Sequence, residues 1–130
     1  MKRTKEDAEQ TKQAILTAAL NVFSAKGYSR ATLSDIAREA DVTRGAIYWH
    51  FHDKAGLFHE LCLSIHKNLW ERNQEIFERY PDPENRIRYS IINALTVMQQ
   101  NSNVYKMHEI IYRTDFGDLV RLKEEGAECF

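Results

Sequence analysis

Apolar positions in this chain recur at intervals of three and four residues almost from one end to the other. Side chains spaced this way share one face of an α-helix, so the pattern predicts an all-α protein of seven helices without a strand. Ile15, Leu16, Ala19, Leu20 and Phe23 form the buried stripe of a first helix over about 7–26, closed by Gly27 as a left-handed cap. Leu33, Ile36, Ala37 and Ala40 give a second helix of two turns, begun by a capping box in which Thr32 and Asp35 exchange hydrogen bonds. Asp41 and Val42 make a turn, and Thr43 caps a third helix. Asp53 caps a fourth over roughly 54–79, apolar on two sides: Phe58, Leu61, Ile65, Leu69 and Ile76 on one, Cys62, Leu63, His66, Trp70 and Phe77 near the other. A helix of that kind is expected between two layers. Asp82 with Pro83 starts the fifth helix, Asn101-Ser-Asn103 ends it, a sixth covers about 104–114, and a seventh begins near Asp118.

The third helix does not fit a purely structural role. With Ile47 and Phe51 turned inward, Tyr48, Trp49 and His50 must largely face out, beside Arg44. Gly45 lies in the first turn, where glycine costs roughly 1 kcal/mol against alanine and is best explained by something approaching the backbone closely. Two short capped helices joined by a tight turn, the second carrying exposed aromatic and basic groups, suit the major groove of DNA. Arg44 has the fork geometry for a guanine, Gly45 allows close approach, and Ala46 can meet a thymine methyl. Thr32, Ser34, Thr43, Tyr48, Trp49, His50 and Lys54 are the expected phosphate contacts, although Thr32 and Thr43 would cap helices in any case. At the start of a helix Lys54 has the wrong sign for the local dipole, a penalty that a nearby phosphate would reverse.

Composition narrows the class. The chain has 130 residues, 43% of them hydrophobic, enough for one core. Only two prolines and five glycines interrupt it. Cys62 and Cys129 have neither zinc-finger spacing nor a disulfide framework, as expected of a cytoplasmic protein, and no apolar run is long enough to span a membrane. The net charge of −1 divides unevenly: residues 1–53 carry eight Lys/Arg against seven Asp/Glu, the remainder ten against twelve. So weakly basic an N-terminal part disfavours an architectural protein that coats DNA, and favours a few well-placed contacts.

The run GYSRATLSDIAREADVTRGAIYWHFHDK at 27–54 resembles the DNA-binding signature of the TetR family of bacterial regulators. VTRGAIYWHF at 42–51 and KRTKEDA at 2–8 are similar to its multidrug-efflux repressor branch. One departure is Asp41, where the family usually has glycine, but aspartate tolerates the left-handed conformation such a turn needs. The resemblance implies a three-helix headpiece over 1–53 and, over 54–130, the N-terminal part of a ligand-binding and dimerisation domain whose remaining helices would follow Phe130. It implies a repressor that binds double-stranded operator DNA as a homodimer when full length, released by a small hydrophobic or cationic inducer, with the fourth helix transmitting the signal. His66, Trp70, Met98, Met107, Ile110, Ile111 and Phe116 are then candidates for the inducer pocket, though each also suits a plain core position.

A competing reading is a metal-responsive regulator in which His59, Cys62 and His66, at i, i+3 and i+7, hold an ion. Three ligands on one rigid helix span about two turns and need a partner segment, for which no cluster is evident. Cys62 and His66 are also the only nucleophile and base worth naming for an enzyme, but they have no orienting third group. Neither catalysis nor a cofactor is expected.

Overall fold

The computed structural model describes residues 4–126 and, within them, every side chain but that of Phe116. Seven helices follow one another: α1 (Lys5–Lys26), α2 (Leu33–Ala40), α3 (Arg44–Phe51), α4 (Lys54–Arg79), α5 (Pro83–Gln100), α6 (Ser102–Arg113) and α7 (Phe116–Glu124). No strand occurs among the described residues. The helix starts follow the polar residues that precede them. Thr4 and Asp7 form a capping box on α1, Thr32 and Asp35 another on α2, and Thr43, Asp53, Asp82, Asn101 and Asp115 each cap the next helix with a side-chain oxygen.

Helix ends supply one correction. Gly27 has φ 79° but ψ 164°, so it closes α1 with a positive φ in an extended conformation rather than as a left-handed helical cap. The chain then enters a turn, closed by the Ala31 N–H on Gly27 O at 3.2 Å, that leads to α2. Asp41 does adopt the left-handed conformation, at φ 55° and ψ 47°. Its N–H bonds Arg38 O at 3.3 Å and the Val42 N–H reaches Ala37 O at 3.0 Å, so the orphan carbonyls of α2 are satisfied and the turn holds without glycine.

α1 is the hub, packing on α2, α4 and α6. Its stripe of Ile15, Leu16, Ala19, Leu20 and Phe23 is buried, as are Ala18 and Val22. The main core joins these to Ile36 and Ala37 of α2, Ile47 and Phe51 of α3, and Leu57, Phe58, Leu61 and Cys62 of α4. Met107 and Ile110 of α6 and Leu122 of α7 belong to the same cluster. Phe23, Tyr28 and Phe58 pack as a triad, tilted or edge to face, with ring centroids 5.0–5.6 Å apart. A smaller cluster of Leu69, Val97 and Val104 ties α4, α5 and α6 together farther along. α4 is buried on both sides only in its first half, since Trp70 and Phe77 are exposed. No described helix is long and apolar enough to cross a membrane.

Candidate nucleic-acid interface

The α2–turn–α3 pair is held from behind by its own apolar residues. Ile36, Ile47 and Phe51 are fully or almost fully buried, which fixes the roll of both helices and turns their other faces to solvent. Tyr48 is exposed, Trp49 is 73% exposed, and Arg44, Gly45 and Thr43 also lie on the open side. Ala46, His50 and Ser34 are half-buried, and Thr32 is exposed. The ten residues proposed from the sequence thus fall in two groups, nine along α2 and α3 or at their caps, and Lys54 apart from them.

Local bonds order this face. Arg44 Nη2 donates to Tyr48 Oη at 3.1 Å across one turn of helix, and its guanidinium lies 5.7 Å from the Tyr48 ring. Trp49 and His50 meet edge to face at 4.6 Å. Pre-ordered aromatic and guanidinium groups lose less entropy on binding than free ones. Gly45 has no structural need to be glycine: a β-carbon there would meet only Thr43 Oγ1, at 3.7 Å. Bonding to Thr32 and to Lys26 holds the Asp35 carboxyl below the usual carboxylate range, so the capping box of α2 stays ionised and intact.

Lys54 points inward. Its Nζ donates to the carbonyls of Tyr28 at 2.9 Å, Ala31 at 3.2 Å and Ser29 at 3.4 Å, and sits 4.3 Å from the Tyr28 ring. Partial burial lowers its pKa, against the pull of Asp118 and Glu125. These carbonyls, rather than a phosphate, supply the compensation for a cation at a helix start. No residue pattern encodes this, because the acceptors are backbone atoms 23 to 26 residues away.

The proposed pocket residues do not gather around one cavity. Met107 and Ile110 are core, Ile111 and Met98 pack against the two clusters, and the Phe116 side chain lies outside the described residues, as does Cys129. Trp70 lines an open cleft of about 520 Å³ between α1 and α4, with Lys12, Leu63 and Lys67 among its neighbours. A second cleft of about 560 Å³ between α4 and α5 is mostly polar, with Asn68, Glu71, Arg72, Glu75 and Gln100 on its walls. His66 lies on neither. It is buried, its Nδ1 lies 3.1 Å from Cys62 O, and its ring stands 5.0 Å from His108 and 5.9 Å from Trp70. Desolvation, with His108 adding to it, lowers the His66 pKa. His108 escaped notice because only the packing of α6 on α4 brings it there.

The metal reading finds no support in this arrangement. Among the described residues no group of three or more His, Cys, Asp or Glu side chains could hold an ion. His59, Cys62 and His66 stay spread along α4, and the Nδ1 of His66 is engaged by the Cys62 carbonyl. Cys62 is fully buried.

Residues 15–61 match the model of bacterial regulatory proteins of the tetR family. The chain is 39% identical over 118 residues to the transcriptional regulator AcrR of Shigella flexneri, covering 88% of this chain and 54% of that one. Among solved structures it is similar to NalD, the secondary repressor of the MexAB-OprM multidrug efflux pump of Pseudomonas aeruginosa, with a TM-score of 0.76 and 32% identity over 92% of this chain and 60% of NalD. It is also similar to the complex of SmeT with triclosan, with a TM-score of 0.72 and 27% identity over 89% and 56% of the two chains. The chain spans about half the length of the curated relatives it matches.

Proposed function

Over residues 15–61 this chain is a member of the tetR family of bacterial regulatory proteins, and on that premise we propose that it is a cytoplasmic, sequence-specific DNA-binding repressor of a multidrug-efflux operon. The observation that carries this reading is the outer face of α3, where Arg44, Gly45, Tyr48 and Trp49 stand exposed on a helix whose buried side fixes their direction. Arg44 reads a guanine edge, Gly45 admits the backbone to the groove, and Ala46 touches a thymine methyl. Thr32, Ser34, Thr43, Tyr48, Trp49 and His50 hold phosphates and set the register. Lys54 contributes by holding the loop before α2.

Two such headpieces, set about 34 Å apart by a homodimer of the full-length protein, would enter successive major grooves. A small hydrophobic or cationic inducer would release them by binding better to a form in which α4 misplaces the headpieces, because a ligand with equal affinity for both forms shifts nothing. The efflux pump named for NalD and the triclosan bound to SmeT support that class of regulon and ligand.

The test is a titration on DNA flanking the protein's own gene against random DNA of equal length, at two salt concentrations. Arg44→Ala is expected to cost roughly 1–3 kcal/mol on the specific site and little on random DNA. Equal losses on both would remove Arg44 as a base reader, and equal affinity of the parent protein for both would end the reading itself.

A further inference from the structure

α7 makes a contact that neither the helix-turn-helix nor the inducer reading uses. The Ser29 hydroxyl, in the loop between α1 and α2, donates to Oδ2 of Asp118 in the first turn of α7, across 89 positions of sequence. Asp118 is not needed to cap α7, since Asp115 already accepts the Gly117 N–H at 2.8 Å. Its local partner is the exposed Arg121, 4.0 Å away on the next turn, a contact too weak to fix its position. One turn farther on, Leu122 is 1% exposed and sits in the same core as the headpiece residues, so α7 is anchored by an apolar residue and oriented by a polar one.

The same loop is held from its other side. Lys54 Nζ bonds the carbonyls of Tyr28, Ser29 and Ala31, and Asp118 lies close enough to Lys54 to act on its charge. The next residue, Thr32, is the cap from which α2 starts. Residues 28–31 are thus gripped between the first turn of α4 and the first turn of α7, immediately before the helix-turn-helix.

The geometry points to α7 as a second strut between the C-terminal helices and the helix-turn-helix, with Asp118 as a positioning residue that holds the start of α2 through Ser29. This rests on the DNA-binding reading. In it α4 is not the only path by which a rearrangement of the C-terminal helices reaches the headpiece: displacement of α6 and α7 would pull the 28–31 loop directly and move Thr32 and Ser34 off their phosphates.

The experiment compares the full protein with Ser29→Ala, Asp118→Ala and the double variant. All three change partly or fully exposed side chains, so the fold should survive, checked by far-UV circular dichroism. Amide exchange of residues 32–37 is read first, without DNA. It is expected to accelerate roughly three- to tenfold in each single variant and hardly further in the double, as for one lost bond to a charged group. Operator affinity is expected to fall by a similar factor, with an unchanged slope against salt because Thr32 and Ser34 are uncharged and no cation is withdrawn from a phosphate.

Two outcomes overturn the strut. One is unchanged exchange in Asp118→Ala. The other is tighter operator binding by that variant, since an acid that merely repels DNA gives that sign when neutralised. If the parent protein binds no operator while the exchange result holds, the DNA-binding reading fails and the structural strut stands.

Discussion

At Gly45 the backbone is ordinary helix, and a β-carbon there would make only an ordinary contact with Thr43 Oγ1, at 3.7 Å. Gly45→Ala should therefore stabilise the fold by up to about 1 kcal/mol, seen as a higher melting temperature, while weakening specific DNA binding roughly tenfold by blocking close approach. A rise in stability with undiminished operator affinity would show that nothing approaches that backbone. Lys54 gives the opposite pairing. Lys54→Met keeps the stem over the Tyr28 ring but leaves the carbonyls of Tyr28, Ser29 and Ala31 without their donor. The expected loss is about 1–3 kcal/mol by denaturant titration. A variant of unaltered stability that lost only salt-dependent DNA affinity would return Lys54 to the phosphates.

Between elements, the seam of α4 and α6 carries a titratable pair. His66 and His108 stand edge to face at 5.0 Å, each with Nδ1 near the carbonyl four residues earlier, Cys62 at 3.1 Å and Val104 at 2.9 Å. Burial first, and His108 second, depress the His66 pKa below the usual histidine value of 6.5. The unfolded chain then takes up a proton that the folded chain refuses, so stability is intact above about pH 6.5 and falls as the pH drops from there through the folded pKa. Melting temperatures measured from pH 7.5 to 5 should show this decline, and His66→Phe should flatten it. An equally steep decline in His66→Phe would assign the acid sensitivity to other groups.

The molecule as a whole shares one core across the expected boundary at residue 53. Leu57, Phe58, Leu61, Met107, Ile110 and Leu122 lie in the same cluster as the residues of α1 to α3. Residues 1–53 alone should consequently fail to fold, and residues 1–130 should melt as a unit. Trp49 in α3 and Trp70 in α4 report the two parts separately, so Trp49→Phe and Trp70→Phe variants should give the same midpoint by fluorescence. Two distinct midpoints would mean that the headpiece is held by its own contacts.

What the amino-acid sequence determined by itself was local. Periodicity, caps and breakers act over a few residues, and the seven helices, the Thr32–Asp35 capping box, the left-handed Asp41 turn and the outward face of α3 all follow from groups within one or two turns of each other. Tertiary structure decided where two segments meet. It turned Lys54 toward backbone carbonyls, set His108 against His66, joined Met107 and Ile110 to the core of the headpiece, and brought Asp118 to Ser29. Backbone acceptors carry no residue identity, and a contact across 89 residues depends on how α1, α4 and α6 pack, so no spacing along the chain encodes either one.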